Sequence, residues 1–200
     1  MTTEAKTPAI ATLLRNHPRK NLPHRVAAKR GESNFVLAFG RAYTTRAMGE
    51  LQQRQRSLPA RELRVEGFGI ADFIWFSWQS NENKDEGSGL GLHSAKCSEK
   101  RTLLAFELKM LDWRKALGQA YRYRYFADGA FVVLPPRAAE KAKQFLSTFK
   151  VLETGLWSFD RTDSVINEIY TPRTKKPLSE SARARAMAAI SHRLKAQLTP

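Results

Sequence analysis

One stretch decides the fold of this chain: Leu103-Leu104-Ala105-Phe106-Glu107-Leu108-Lys109-Met110. A nearly continuous apolar run of this length predicts a strand buried on both faces of a sheet. Because side chains alternate along a strand, Glu107 and Lys109 lie on the same face as neighbours. Burying charges is costly unless they are paired or bind a metal. The two charges therefore indicate either a simple ion pair on a half-exposed strand or a functional site.

Polar residues on both sides of this strand favour a functional site. Upstream, Asp72 stands near the start of another apolar run, Ala71-Asp72-Phe73-Ile74-Trp75-Phe76. If the two strands pair, Asp72 and Glu107 converge on one divalent cation, since Mg²⁺ takes few carboxylates and keeps several waters. Downstream, Gln119 and Tyr123 are four residues apart and share a face of the next helix. The alternatives are a strand-end aspartate in a turn and ordinary surface polarity.

The remaining pattern predicts a mixed sheet flanked by helices. Apolar periodicity predicts helices at 7–17, 34–56, 112–126, 137–149 and 179–198, with Asp112 as a cap and Glu50 on the second helix. Further strands are expected at 62–68, 70–78, 130–134, 155–159 and 165–170. The polar segment 79–101 is predicted to be a long exposed insertion. The last helix carries an apolar stripe of Met187, Ile190, Leu194 and Leu198.

The net charge of +15 is concentrated at the two ends of the chain. Residues 1–30 contain seven Lys or Arg against Glu4, and residues 171–200 contain seven against Glu180, so each end contributes +6. An excess of this kind indicates a polyanionic partner such as nucleic acid or an acidic membrane surface, with solvated basic tails as the alternative. Nucleic acid is preferred because the middle of the chain supplies an independent reason.

Several classes of protein are disfavoured by the composition. The single cysteine, Cys97, excludes a disulfide framework, a cysteine-rich zinc site and an iron-sulfur cluster held by this chain alone. No run approaches the roughly 18 apolar residues of a spanning helix, and no apolar segment follows the N-terminus as in a signal peptide. There is no glycine-rich phosphate loop and no nucleophile elbow. A cytoplasmic protein with no membrane role is therefore expected.

The order and spacing of these residues resemble the PD-(D/E)xK nuclease superfamily. The likeness covers about residues 34–170: an acidic residue, Glu50, on a helix, Asp72 on the second strand, and Glu107-Leu108-Lys109 on the third. The following helix carries Gln119-Ala120-Tyr121-Arg122-Tyr123, which is similar to the Gln-x-x-x-Tyr signature of the RecB-like subset. Alanine precedes Asp72 where the motif name has proline. Glu32 and Glu66 are alternatives to Glu50.

The resemblance implies a restriction-endonuclease-like fold with an αβββαβ core and a Mg²⁺- or Mn²⁺-dependent nuclease acting on DNA. Asp72, Glu107 and the main-chain carbonyl of Leu108 would hold the metal, with Glu50 as a further ligand. Lys109 would orient the attacking water and stabilise the transition state. Gln119 and Tyr123 would position the substrate or Lys109. The expected product carries a 5′-phosphate.

The predicted organisation has three parts. Residues 1–30 form a basic helix and arm, residues 31–172 the nuclease domain with the 79–101 insertion, and residues 173–200 a basic C-terminal helix. That helix is either core or a contact for a second copy or a partner protein. Two other functions remain open: a weakly active or inactive nucleic-acid-binding or assembly protein on the same fold, and a nuclease subunit of a larger complex.

Overall fold

The structure, a computed structural model, describes residues 25–51, 55–79 and 101–198, and the side chains of 31–51, 55–79 and 101–194. The predicted N-terminal helix and nearly all of the 79–101 insertion lie outside these residues. The helices are α1 (Arg25–Gly49), α2 (Trp113–Tyr123), α3 (Pro136–Lys143), α4 (Leu146–Val151) and α5 (Glu180–Leu198). The strands are β1 (Gln55–Val65), β2 (Gly69–Gln79), β3 (Thr102–Leu108), β4 (Gly129–Leu134), β5 (Gly155–Asp160) and β6 (Val165–Tyr170).

The strands form one six-stranded mixed sheet in the order β1-β2-β3-β4-β5-β6. β1, β2 and β3 are antiparallel, β3, β4 and β5 are parallel, and β6 is antiparallel to β5. Parallel neighbours need a crossover connection, which α2 supplies between β3 and β4. The predicted α/β class, a mixed sheet flanked by helices, is confirmed. The narrower restriction-endonuclease-like class stays a prediction.

One face of the sheet packs against α1 through aromatic side chains. Phe35, Phe39 and Tyr43 are buried at four-residue intervals, the spacing of one helix face. Phe39 meets Phe73 edge to face, with ring centroids 5.8 Å apart. Aromatic pairs of this kind stabilise beyond the area that they bury. The packing fixes α1 across the sheet and holds its N-terminal half near the end of β3.

The other face of the sheet packs against α2, α3, α4 and α5. On α5, Ala182, Ala186, Ile190 and Leu194 are buried at four-residue intervals and belong to the same core cluster as Leu58 and Leu63 of β1. The predicted stripe is present at Ile190 and Leu194, while Met187 is only partly buried. The helix therefore belongs to the core of this chain as far as Leu194, and Leu198, the last residue of the predicted stripe, lies outside the described side chains.

Two boundaries differ from the prediction at the start of the described chain. α1 begins at Arg25, so residues 25–30 are helix where an arm was expected. It ends at Gly49, and β1 begins at Gln55 and includes Pro59, which was predicted to lie in a break before the sheet. Proline has no amide hydrogen to donate, but β1 is the edge of the sheet, where one side of the strand needs no partner.

The predicted helix 137–149 is two helices. α3 and α4 are separated at Gln144 and Phe145, and the Phe145 ring lies 4.8 Å from the Trp113 ring of α2. This tertiary contact is invisible to a count of apolar spacing. The other elements from β3 onward begin and end close to their predicted residues, and Asp112 caps α2 by accepting a hydrogen bond from the Lys115 amide at 3.0 Å.

Candidate active site

The pairing of β2 with β3 brings the first two predicted acidic residues together. The antiparallel pairing of the two strands ends with Phe73 and Phe106, and Asp72 and Glu107 are the residues next to this last pair on β2 and β3. Asp72 Oδ2 also accepts a hydrogen bond from the main-chain amide of Leu108 at 2.8 Å. That bond fixes the aspartate against the end of β3.

A backbone irregularity coincides with Asp72. Leu58 and Leu63 of β1 are an odd number of positions apart, which in a regular strand would put them on opposite faces of the sheet. Both nevertheless pack into the same core cluster. Ala71 and Ile74 of β2 show the same exception. Glu62 lies between Leu58 and Leu63 in β1, and its φ of 54° is uncommon for a residue other than glycine. Both strands therefore reverse their facing at Glu62 and Asp72, where the β1–β2 ladder is interrupted.

Glu107 lies at the centre of the site and is completely buried. Tyr123 donates a hydrogen bond to Glu107 Oε2 at 2.5 Å, and the same hydroxyl lies 2.6 Å from the carbonyl oxygen of Ile70. A hydroxyl has one hydrogen to donate, so the two acceptors compete for it. Lys109 Nζ lies 3.1 Å from Glu107 Oε1, but that oxygen is buried without an aligned hydrogen bond from the described residues.

The charges of this cluster perturb one another. Burial and, to a smaller extent, the Asp72 carboxylate raise the pKa of Glu107 to about 7, against smaller opposing effects of Lys109 and Tyr123. Burial also raises the pKa of Asp72, although the Leu108 amide and Lys109 oppose this. For Lys109, burial alone lowers the pKa, but the carboxylates of Glu107, Asp72 and Glu32 outweigh it and raise the pKa above its usual value. Lys109 is therefore a cation at neutral pH.

A cavity of about 200 Å³ reaches Asp72, Leu108 and Lys109 of the cluster, while the buried Glu107 is not among its lining residues. Its lining residues come from α1, β1, β2 and the end of β3: Glu32, Ser33, Val36, Arg61, Glu62, Asp72, Leu108 and Lys109. Glu32 is 41% exposed, and its Oε2 lies 3.9 Å from Lys109 Nζ. Glu32 is thus the acidic residue that α1 contributes to this cavity.

Glu50 is not brought to the cavity. It lies eighteen residues beyond Glu32 along α1, which is about 27 Å of helix. Its side chain is 68% exposed and pairs with Arg46 at 3.2 Å. The sequence placed the start of this helix at Asn34, so Glu32 fell outside it. Extending the spacing of Phe35 and Phe39 back by one turn is the signal that identifies Glu32 as a residue of α1.

Gln119 and Tyr123 lie on the face of α2 that meets the sheet. Tyr123 is buried and contacts Glu107, whereas the prediction placed it against Lys109 or the substrate. Gln119 Oε1 is buried and accepts no hydrogen bond from the described residues. The structure therefore brings Asp72, Glu107, Lys109 and Tyr123 together and leaves Gln119 one helical turn from Tyr123 with an unsatisfied oxygen.

The donor set suits a hard divalent cation. In residues 25–51, 55–79 and 101–198, no group of three or more His, Cys, Asp or Glu side chains is placed to hold a metal. Mg²⁺ commonly uses only one or two carboxylates and keeps several waters. Asp72 and Glu107 supply two carboxylates, and the buried Glu107 Oε1 lacks an aligned hydrogen bond from a described residue. The raised pKa of each carboxyl reflects the cost of burying negative charge, which a cation would offset.

Comparison with known proteins adds no relative. No family model, no curated protein and no solved structure matches this chain. In the described part of the chain, no helix has the length and apolar character needed to cross a membrane. Function is therefore argued from the geometry and charge of the site.

Proposed function

We propose that this chain is a metal-dependent nuclease that hydrolyses phosphodiester bonds of nucleic acid, with DNA as the expected substrate. The observation that carries the proposal is the meeting of Asp72, Glu107 and Lys109 around a buried carboxylate oxygen that has no aligned hydrogen bond from the described residues. Titratable groups perturbed by burial and by one another beside an open cavity are typical of catalytic sites.

Asp72 and Glu107, with the main-chain carbonyl of Leu108, would hold Mg²⁺ or Mn²⁺. When bound there, the metal would offset charge on the phosphate and acidify a coordinated water. Lys109 remains protonated and would stabilise negative charge as it develops. Tyr123 holds Glu107 Oε2 and thereby orients the carboxylate, and Glu32 faces Lys109 from across the cavity.

The +15 net charge supports a polyanionic substrate. Most of the excess belongs to the two ends of the sequence, while the acidic groups of the site lie in the middle. Attraction of the nucleic acid and hydrolysis are therefore assigned to different parts of the chain.

The proposal is tested by incubating the pure protein with linear duplex, circular and single-stranded DNA in Mg²⁺, Mn²⁺ or EDTA. We expect cleavage in either metal and none in EDTA. Lys109→Ala should lower the cleavage rate by about 10²- to 10³-fold, the loss typical of removing one preorganised charge-stabilising group. Lys141→Ala, an exposed lysine on α3, is the matched control and should cleave like the unmodified chain.

Three outcomes would contradict or change the proposal. Metal-dependent cleavage that Lys109→Ala leaves unchanged would show that the active site is elsewhere or that a contaminant is responsible. Salt-sensitive DNA binding without cleavage would favour a nucleic-acid-binding protein on this fold. Cleavage that appears only after a partner protein is added would identify a subunit of a larger nuclease. Circular dichroism of both variants separates loss of activity from loss of folding.

A further inference from the structure

A second and larger cavity, of about 700 Å³, lies between α1 and the edge strand β1. We call it the α1–β1 groove. Its lining residues are Leu37, Gly40, Arg41, Thr44 and Thr45 of α1, Pro59, Ala60 and Arg61 of β1, Phe73 of β2 and Arg193 of α5. The nuclease proposal gives none of these residues a role, although Arg61 also lines the candidate active site.

The groove has an apolar floor and a polar rim. Leu37, Gly40, Arg41 and Thr44 follow the three- and four-residue spacing of one helix face, so they line the groove together. Gly40 allows the close approach of α1 to the sheet, because a Cβ atom there would lie 3.3 Å from the Phe73 ring. The guanidinium of Arg41 and the hydroxyls of Thr44 and Thr45 supply hydrogen-bond donors to the lining of the groove.

The charge of the groove is entirely positive. Three arginines and no Asp or Glu are found among its lining residues. Arg41 and Arg61 are exposed and form no ion pair with the described residues. Arg193 is held in place because its guanidinium donates hydrogen bonds to the carbonyl oxygens of Arg61 and, at 2.5 Å, of Glu62. These bonds are to neutral acceptors, so the positive charge of Arg193 remains.

Arginine guanidinium groups and side-chain hydroxyls are common hydrogen-bond donors to the phosphates of a nucleic-acid backbone. The groove also meets the candidate active site, because Arg61 lines both cavities. A chain of phosphates that placed one phosphate beside Asp72 and Lys109 would therefore pass Arg61 and continue towards Arg41. The negative carboxylates of the active site and the positive groove thus form adjoining parts of one surface.

We infer that the α1–β1 groove binds the phosphodiester backbone of the nucleic-acid strand whose scissile phosphate occupies the active site. The substrate is then a polynucleotide that extends beyond the cleaved bond on the groove side. This inference rests on the proposed function for the position of the scissile phosphate. Binding of a nucleic-acid backbone in the groove can be measured without any cleavage.

The test measures binding in EDTA, where metal-dependent cleavage is absent. Fluorescence anisotropy with a fluorescein-labelled 20-nucleotide single strand and its duplex, over a series of NaCl concentrations, gives Kd and its salt dependence. Arg41→Gln and Arg61→Gln should each raise Kd by about 3- to 10-fold. Each should also reduce the salt slope by about 0.7 for the single strand or about 0.9 for the duplex. Arg41→Lys keeps the charge and should recover most of the salt slope.

Arg161→Gln is the matched control. Arg161 is exposed in the turn between β5 and β6, at the edge of the sheet opposite β1. It should bind with the Kd and salt slope of the unmodified chain. Thermal melting of every variant confirms that the exposed substitutions leave the fold intact.

The outcomes separate the two proposals. If Arg41→Gln and Arg61→Gln bind with the same Kd and salt slope as Arg161→Gln, or if the unmodified chain binds neither oligonucleotide, the groove inference is overturned. Cleavage in Mg²⁺ by the unmodified chain would still support the nuclease proposal. If both groove variants lose affinity while the unmodified chain never cleaves, the groove is supported as a nucleic-acid site and the nuclease proposal fails.

Discussion

β3 is anchored at both ends by an aspartate that accepts a hydrogen bond from its backbone. At the first end the Leu103 amide donates to Asp128 Oδ2 at 2.6 Å, and at the other the Leu108 amide donates to Asp72 Oδ2 at 2.8 Å. The two anchors are alike in chemistry and in geometry. They differ in the charges that surround them, and under the proposed function that difference separates a structural cluster from a functional one.

At the Asp128 end each carboxylate is paired with at least one cation. Arg183 Nη2 lies 2.9 Å from Asp128 Oδ2. The buried guanidinium of Arg124 donates to the Asp128 carbonyl oxygen at 3.1 Å and lies 3.4 Å from Glu153, which also pairs with Lys175. The hydrogen bond from Lys175 holds the pKa of Glu153 below its usual value. Two carboxylates here face three cations, and the cluster joins α2 to the segment before α5.

The Asp72 end is unbalanced in the opposite sense. Among the described residues, the carboxylates of Asp72, Glu107 and Glu32 all interact with the ammonium of Lys109, and Arg61 is the other basic residue that lines the cavity. Burial raises the pKa of both Asp72 and Glu107, so keeping both carboxylates charged costs free energy in the folded chain. If Asp72 served only to anchor β3, an aspartate paired with a cation, as Asp128 is paired with Arg183, would be sufficient. The unmatched negative charge at the other end therefore favours a bound cation.

The largest expected effect comes from Asp72→Asn. The asparagine carbonyl oxygen can still accept the Leu108 amide, so the fold should be kept, but the loss of one carboxylate weakens the metal site. We expect cleavage to fall by about 10²- to 10³-fold. The melting temperature should change little. Cleavage rates at saturating Mg²⁺, together with a thermal melt, measure both quantities.

Asp128→Asn is the matched substitution at the other end of β3. It removes the charge that pairs with Arg183, so we expect a loss of about 2 kcal/mol in the free energy of unfolding. The cleavage rate per folded molecule should be kept. If Asp128→Asn abolishes cleavage while the protein stays folded, or if Asp72→Asn cleaves normally, the distinction between the two ends is wrong.

The parts of the site that depend on local pattern could be predicted from the sequence. An apolar run identifies β3, alternation along it puts Glu107 beside Lys109, and the cap at Asp112 sets the start of α2 and so the position of Tyr123. Each of these relations spans only a few residues. The pairing of Asp72 with Glu107 was predicted only as a consequence of the two strands lying side by side.

The parts that depend on distant contacts could not be predicted. Arg193 reaches the Glu62 carbonyl across 131 residues of sequence, and no local pattern relates the two. The reversal of β1 at Glu62 depends on a single positive φ in a residue that does not favour it. Glu32 lay outside the predicted helix, which was expected to begin at Asn34. The packed aromatic face of α1 stabilises the helix through Gly31 and Glu32 as well.

The second-largest expected effect comes from Glu107→Gln and concerns how the stability of the protein depends on pH. The pKa of Glu107 is raised from 4.5 to about 7 in the folded protein, so the folded state binds this proton more tightly than the unfolded chain. The stabilising contribution of that proton is complete below about pH 4.5 and is lost as the pH rises to about 7. Glu107→Gln stays neutral at every pH. In EDTA it should exceed the unmodified chain in stability at pH 8, by up to about 3 kcal/mol, and match it near pH 4.

Urea denaturation at pH 4, 6 and 8 measures this difference. Glu140→Gln is the control, because Glu140 is a residue of α3 whose side chain is 68% accessible. Mg²⁺ should stabilise the unmodified chain at pH 8 and leave Glu107→Gln almost unaffected. A Glu107→Gln variant that is less stable at pH 8 would show that the carboxylate is adequately paired by Lys109 and needs no cation.

The smallest expected effect comes from Tyr123→Phe. The Tyr123 hydroxyl donates to Glu107 Oε2 and lowers the pKa of that carboxyl, so its removal should raise the pKa further. The pH of half-maximal cleavage should move upwards by about one pH unit or less. Tyr121→Phe, two residues earlier, leaves Glu107 untouched and should show no shift. Since the hydroxyl has one hydrogen and two nearby acceptors, an unchanged profile would mean that the Ile70 carbonyl takes that hydrogen. Glu107 would then be oriented by Lys109 alone.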